Sequence, residues 1–132
     1  LVTKLKSMCI EVRRILLIHA DDAVKEMLLL CLETIPCCEV ITVDSGIEGI
    51  DKASEADAIL LDIDETMPDL CWREIAQNLQ QNLVTRNIPL LLLTATPQSS
   101  ELIEFPKTAS VKAIAKSFDL LNLASEISGL LD

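Results

Sequence analysis

Glycine, histidine and aromatic residues are all scarce in this 132-residue sequence: three glycines, one histidine, two phenylalanines, one tryptophan and no tyrosine. Each shortage excludes something. None of Gly46, Gly49 and Gly129 follows the first apolar run, so no glycine lets the backbone close on a nucleotide phosphate there. With almost no rings to stack on, a flavin enzyme is equally disfavoured. The five cysteines, Cys9, Cys31, Cys37, Cys38 and Cys71, form no CxxC pair. With His19 the sole imidazole, a zinc site is not expected. An odd cysteine count outside any disulfide framework fits a reducing cytoplasm. No apolar run approaches the roughly 18 residues that a membrane span needs. Basic residues are the minority, 11 against 21 acidic ones for a net charge of −10. Direct nucleic-acid binding, which depends on clustered Lys and Arg, is therefore not expected.

What is present is apolar. Half the residues are hydrophobic, enough for one domain with one core. Residues 1–12 are short and basic, without a signal peptide's apolar centre, and read as a leader or linker before a domain over 13–132. Four runs rich in Ile, Leu and Val recur at Ile15–Ile18, Val40–Val43, Ala58–Leu61 and Leu90–Leu93, with a weaker fifth at Val111–Ala115. Continuous rather than alternating hydrophobicity predicts strands covered on both faces, as in a parallel sheet. Between the runs lie segments of helical period. One is Asp22–Ile35, with Val24, Leu28, Cys31, Leu32 and Ile35 in register, stopped by Pro36. A last amphipathic helix is expected over Leu120–Leu131. Strand and helix alternate five times, which predicts a doubly wound α/β sheet. Pro97 and Pro106 bracket the fourth helix and should shorten it to about Ser99–Phe105.

Ligands of such sheets bind beyond the carboxyl ends of the strands. Those ends carry His19-Ala20-Asp21-Asp22, Asp62-Ile63-Asp64, Thr94-Ala95 and Lys116-Ser117-Phe118. Carboxylates, a hydroxyl and an ammonium on one rim suit a divalent cation such as magnesium, or a phosphoryl group carried on an aspartate. Each also has a plainer role. Asp22 suits an N-cap, Thr94 a backbone hydrogen bond at a strand end, and Lys116 a solvated rim.

From Arg13 to Leu131 the chain resembles the response-regulator receiver family. The resemblance is carried by Arg-Arg-Ile-Leu-Leu-Ile at 13–18, Asp-Ser-Gly at 44–46, Ala-Asp-Ala-Ile-Leu-Leu-Asp at 56–62, and Met-Pro-Asp at 67–69. Ile-Pro-Leu-Leu-Leu-Leu-Thr-Ala at 88–95 and Lys-Ser-Phe-Asp at 116–119 complete it. It implies a flavodoxin-like receiver fold with strand order 2-1-3-4-5 and about five flanking helices. It also implies a cytoplasmic phosphorelay component rather than an enzyme. A sensor histidine kinase or phosphotransfer protein would donate the phosphoryl group to Asp62, with Thr94 and Lys116 holding its oxygens and Mg2+ beside it. The fourth helix, fifth strand and fifth helix would form the face for an output domain or a homodimer, marked here by Leu102, Ile103 and Phe105 near Pro106. Burial in the core accounts for those three residues equally well.

The sequence also departs from the family. An ungapped first strand puts His19 and Ala20 where the family has its acidic pair, and neither suits magnesium. Asp21 and Asp64 are the candidate replacements as metal ligands beside Asp62. Two extra residues separate Asp62 from Met67-Pro68, so counting back from Met67 selects Asp64 as phosphoacceptor. Counting along the strand selects Asp62. The strand count is preferred, because the other sets Asp62 inside the sheet, where an unpaired carboxylate is costly. Asp64 is then a loop residue, either a surrogate ligand or a solvated carboxylate, as Glu65 is. The family's aromatic switch position falls on Ala113. Its Lys-Pro is Lys116-Ser117, where a cis bond costs about 2.5–4 kcal/mol against about 0.5–1 before proline. Trp72 stands near the pocket mouth, as a cap over the site or as packing in the first turn of the third helix. Two mechanisms follow. One is a phosphoacceptor at Asp62. The other is a pseudo-receiver, a phosphorylation-independent interaction module.

Overall fold

The computed structural model describes residues 12–18, 22, 25, 26, 29, 30, 37–64, 69–115, 125–127 and 129. Five strands, β1 (Arg13–Ile18), β2 (Cys38–Val43), β3 (Ala58–Asp62), β4 (Leu90–Thr94) and β5 (Val111–Ala115), form one sheet in the order β2-β1-β3-β4-β5. All four neighbouring pairs run parallel. The order reverses beside β1, and every strand ends on the same edge.

The apolar runs became strands because both sheet faces are covered. On one face Leu16, Ile18, Ile59, Leu61, Leu90 and Leu92 pack with Ile75, Ala76 and Leu79 of helix Trp72–Gln81 and with Leu102 of helix Ser100–Glu104. On the other, Ile15, Leu17, Leu60, Leu91 and Leu93 meet Ile114 and Ile127. Each fully buried Leu or Ile contributes about 1.5–3 kcal/mol relative to exposure. The central strands β3 and β4 are buried at every position, whereas the edge strand β5 buries Ile114 alone. That difference explains why its hydrophobic run is the weakest.

Helix Gly46–Lys52 is capped by Ser45, whose side chain accepts from Glu48 N at 3.1 Å. It lies so close to the sheet that a Cβ on Gly49 would stand 2.8 Å from Ile18 Cδ1. Helix Ser100–Glu104 is as short as the flanking prolines demand. Ser99 caps its start, and Lys107 Nζ donates to the carbonyls of Leu102 (2.6 Å) and Phe105 (3.2 Å) at its end. An Arg73–Glu101 ion pair ties it to helix Trp72–Gln81.

One expectation is overturned. Cys37 is disulfide-bonded, whereas Cys38 and Cys71 are free thiols. Spacing along the chain carried no sign of this bond, which forms at a corner where Cys37 takes a φ of 60°. Residues of the first helical segment (22, 25, 26, 29, 30) and of the last (125–127, 129) are helical where described. Pro36 and most of residues 1–12 lie outside the described residues, within which no helix is long and apolar enough to cross a membrane.

Candidate functional site: the carboxyl edge of the sheet

β3 ends at Asp62, whose partner in β4 is Leu93, so Thr94 stands one residue beyond on the same edge. Ile63 N continues the ladder by donating to Leu93 O at 3.0 Å. Asp62 is fully buried, and Thr94 is 1% exposed. The strand therefore stops where counting along Ala56–Leu61 put its end. Asp64 falls two residues past it, on the exposed loop.

That loop turns back on itself. Asp64 N donates to Asp62 Oδ1 at 3.1 Å, a short-range aspartate turn of the kind that competes with regular structure. It brings the Asp64 carboxylate onto the end of β4. Thr94 Oγ1 donates to Asp64 Oδ1 at 2.7 Å, and Ala95 N donates to Asp64 Oδ2 at 2.8 Å. Both lengths belong to charge-assisted hydrogen bonds. The Thr94 oxygen in turn accepts from Thr96 N at 3.1 Å. Because the Thr94 proton goes to Asp64, the Thr96 hydroxyl at 3.4 Å is the donor in their contact.

The structure thus brings together Asp62, Asp64 and Thr94 of the expected site. Thr94 is more than a strand-end hydroxyl satisfied by backbone, and Asp64, though exposed, is held by two donors rather than left to solvent. His19, Ala20, Asp21, Glu65, Met67, Pro68, Lys116 and Ser117 lie outside the described residues. Ala115, which precedes Lys116, pairs with Thr94. Trp72 serves packing: its ring lies 5.0 Å from that of Phe105, with the Arg73 guanidinium 5.5 Å over it. Of the apolar residues expected to mark a partner face, Leu102 is buried and Phe105 is engaged with Trp72. Ile103 remains 64% exposed.

Sequence reasoning gave no role to the Ala95 N–H or to Thr96. A backbone donor leaves no side-chain signal. The run Thr94-Ala95-Thr96 after a buried strand was the one visible hint. Asp69 was also unassigned. It accepts Gly46 N, Ile47 N and Leu70 N, each at 2.9 Å. These bonds, that from Ile47 first and that from Gly46 next, hold its carboxyl below the usual range.

Magnesium prefers a near-octahedral set of oxygens. Among the described residues no three His, Cys, Asp or Glu side chains gather as such a set. Asp62 and Asp64 are the two carboxylates at hand, and both oxygens of Asp64 already accept hydrogen bonds. The described residues alone do not fit the ion.

No family model matches the chain. The DNA-binding dual master transcriptional regulator RpaA of Synechocystis is 28% identical over 118 residues, 89% of this chain. The chain spans about half of that relative, 48% of its length. Among solved structures, a protein of Chloroflexus aurantiacus assigned as a response regulator is 25% identical with a TM-score of 0.75, covering 92% of this chain and 98% of its own. The receiver domain of the sensor histidine kinase PA1611 of Pseudomonas aeruginosa, with magnesium coordinated in its active-site cleft, is 20% identical with a TM-score of 0.74. That match covers 91% of this chain and 98% of that one. With its parallel sheet in the order β2-β1-β3-β4-β5, an aspartate ending β3 and a threonine ending β4, the chain has the fold of response-regulator receiver domains and is similar to them in sequence.

Proposed function

We propose that the chain works as a receiver module in two-component signalling, with Asp62 as its phosphoacceptor and a sensor histidine kinase or phosphotransfer protein as donor. The observation that supports this most directly is the buried Asp62 carboxylate closing the central strand beside Thr94. In the transfer, an Asp62 oxygen forms a bond to phosphorus while the P–N bond of the donor phosphohistidine breaks. Its electron pair stays on the imidazole, which takes up a proton. Such a step needs positioning and charge neutralisation more than a dedicated base. In this reading the Thr94 hydroxyl and Ala95 N–H would meet phosphoryl oxygens, and Lys116 is the expected cation. The output would be a shift between two conformations, read by a partner or by an output domain beyond this chain. The half-length match to a DNA-binding regulator is compatible with such an output.

Acetyl phosphate tests the reading without a cognate kinase. Transfer from it forms the same bond at Asp62 and releases acetate. Intact mass should show a phosphoryl adduct on the parent chain and on Asp64→Asn, and none on Asp62→Asn. An adduct that persists in Asp62→Asn moves the acceptor to Asp64.

A second reading is favoured by the Asp64–Thr94 contact: an interaction module whose partner or dimer contact needs no phosphorylation. Ala113 at the switch position supports it too, since no ring is there to move. It predicts no adduct on any form, with partner binding that survives Asp62→Ala.

A further inference from the structure

The receiver reading assigns the Thr94 hydroxyl and the Ala95 N–H to phosphoryl oxygens, and in this chain an anion already occupies them. We infer that Asp64 is an intramolecular stand-in for the phosphoryl group: its carboxylate holds Thr94 and the 94–96 loop as a phosphoryl group on Asp62 would, and must withdraw before Asp62 is modified. The inference rests on the receiver reading for what the displaced anion is. Its own support is local. One carboxylate oxygen takes a hydroxyl and the other a backbone N–H, at 2.7 and 2.8 Å, so a single planar anion meets both donors at once. Thr94 is 1% exposed, and β-branching limits its χ1. With its proton given to Asp64 and its oxygen accepting Thr96 N, that hydroxyl is oriented by the carboxylate and is able to turn once the carboxylate leaves. The Asp64 N–Asp62 Oδ1 hydrogen bond aims the loop, closing a ring of contacts from the end of β3 to the end of β4.

The same contacts make Asp64 a competitor. A phosphoryl group on Asp62 would bring more negative charge against the Asp64 carboxylate and would contend for the same two donors. Asp64 therefore slows modification while keeping the unmodified loop in its anion-bound arrangement. Asp64 is a positioning residue here, since it acts through Thr94 and Ala95.

Amide NMR spectra and acetyl phosphate kinetics on the parent chain, Asp64→Ala and Asp64→Asn test this. In Asp64→Ala the Ala95 and Thr96 amides should move away from their parent positions. The adduct on Asp62 should form on the order of fivefold faster, the scale of losing about one net hydrogen bond. Modification should then return both amides toward their positions in the unmodified parent, which a merely structural contact would not produce. Asp64→Asn, with one acceptor and no charge, should fall between. Unmoved amides in Asp64→Ala, or an adduct that forms no faster, overturn the inference. If no form takes a phosphoryl group, the phosphoacceptor reading fails by itself. Amides that still move then leave Asp64 as the permanent occupant, and amides that do not move remove both ideas.

Discussion

Asp69 and Asp64 both stand on the chain that follows β3, and both accept backbone N–H groups, but their donors differ in kind. Asp69 takes three N–H groups, two of them from Gly46 and Ile47 at the start of helix Gly46–Lys52. A helix start cannot turn away, and its partial positive charge favours an anion. Asp64 takes one N–H and one hydroxyl, and a hydroxyl rotates. The first corner is a fixed cap. The second is a contact that another anion can replace. A carboxylate's role on this edge is thus set by whether its donors can be released.

The largest effect that would break this comparison belongs to the fixed corner. A Cβ added at Gly46 would meet Ile75 Cδ1 and Leu70 Cβ, both at 2.9 Å. Leu70 directly follows the capping Asp69, so either the cap or the helix has to shift. Gly46→Ala should lose about 1–3 kcal/mol in urea unfolding, the usual range for overpacking. An unchanged midpoint would show that the corner yields as readily as the 94–96 loop.

A smaller effect sharpens the comparison through pH. The folded pKa of Asp69 lies below the ordinary aspartate value of 3.8, with the hydrogen bond from Ile47 the first cause. A depressed carboxyl contributes stability that is fully present above the unfolded pKa and is lost as pH falls through the folded one. Asp69→Asn should therefore melt below the parent chain at neutral pH. The gap should narrow once pH drops under about 3.8 and close below the folded pKa. A gap that stays constant from neutral to strongly acid solution would mean the charge on Asp69 does not act on the helix.

How far the sequence foretold these corners depends on what each one is made of. The strands were legible because burial on both faces leaves continuous apolar runs, and β5 was faint because an edge strand buries one residue. The short fourth helix was legible because Pro97 and Pro106 bound it, and Ser100–Glu104 falls inside the expected Ser99–Phe105. Asp62 was legible as a strand end by counting from Ala56. Asp64 was not, because its role depends on a loop closing onto a backbone N–H and no spacing rule encodes that closure. Asp69 was hidden for the same reason, since two of its three donors lie 22 and 23 residues away in sequence. The Cys37 disulfide is likewise a matter of spatial approach that a cysteine count does not contain.

The smallest expected effect is the one on which the contrast turns. Asp64 is exposed, and exposed substitutions away from caps and cores usually change stability by no more than about 0.5 kcal/mol. Asp64→Asn keeps one oxygen able to accept from Thr94, so the buried hydroxyl need not be stranded. Its unfolding midpoint should lie close to the parent's, well inside the shift produced by Gly46→Ala. A loss as large as that of Gly46→Ala would make Asp64 a second cap, built into the fold as Asp69 is. In that case its carboxylate would not be free to withdraw from Thr94, and the faster phosphorylation expected when it is removed would reflect a damaged loop rather than a vacated anion site.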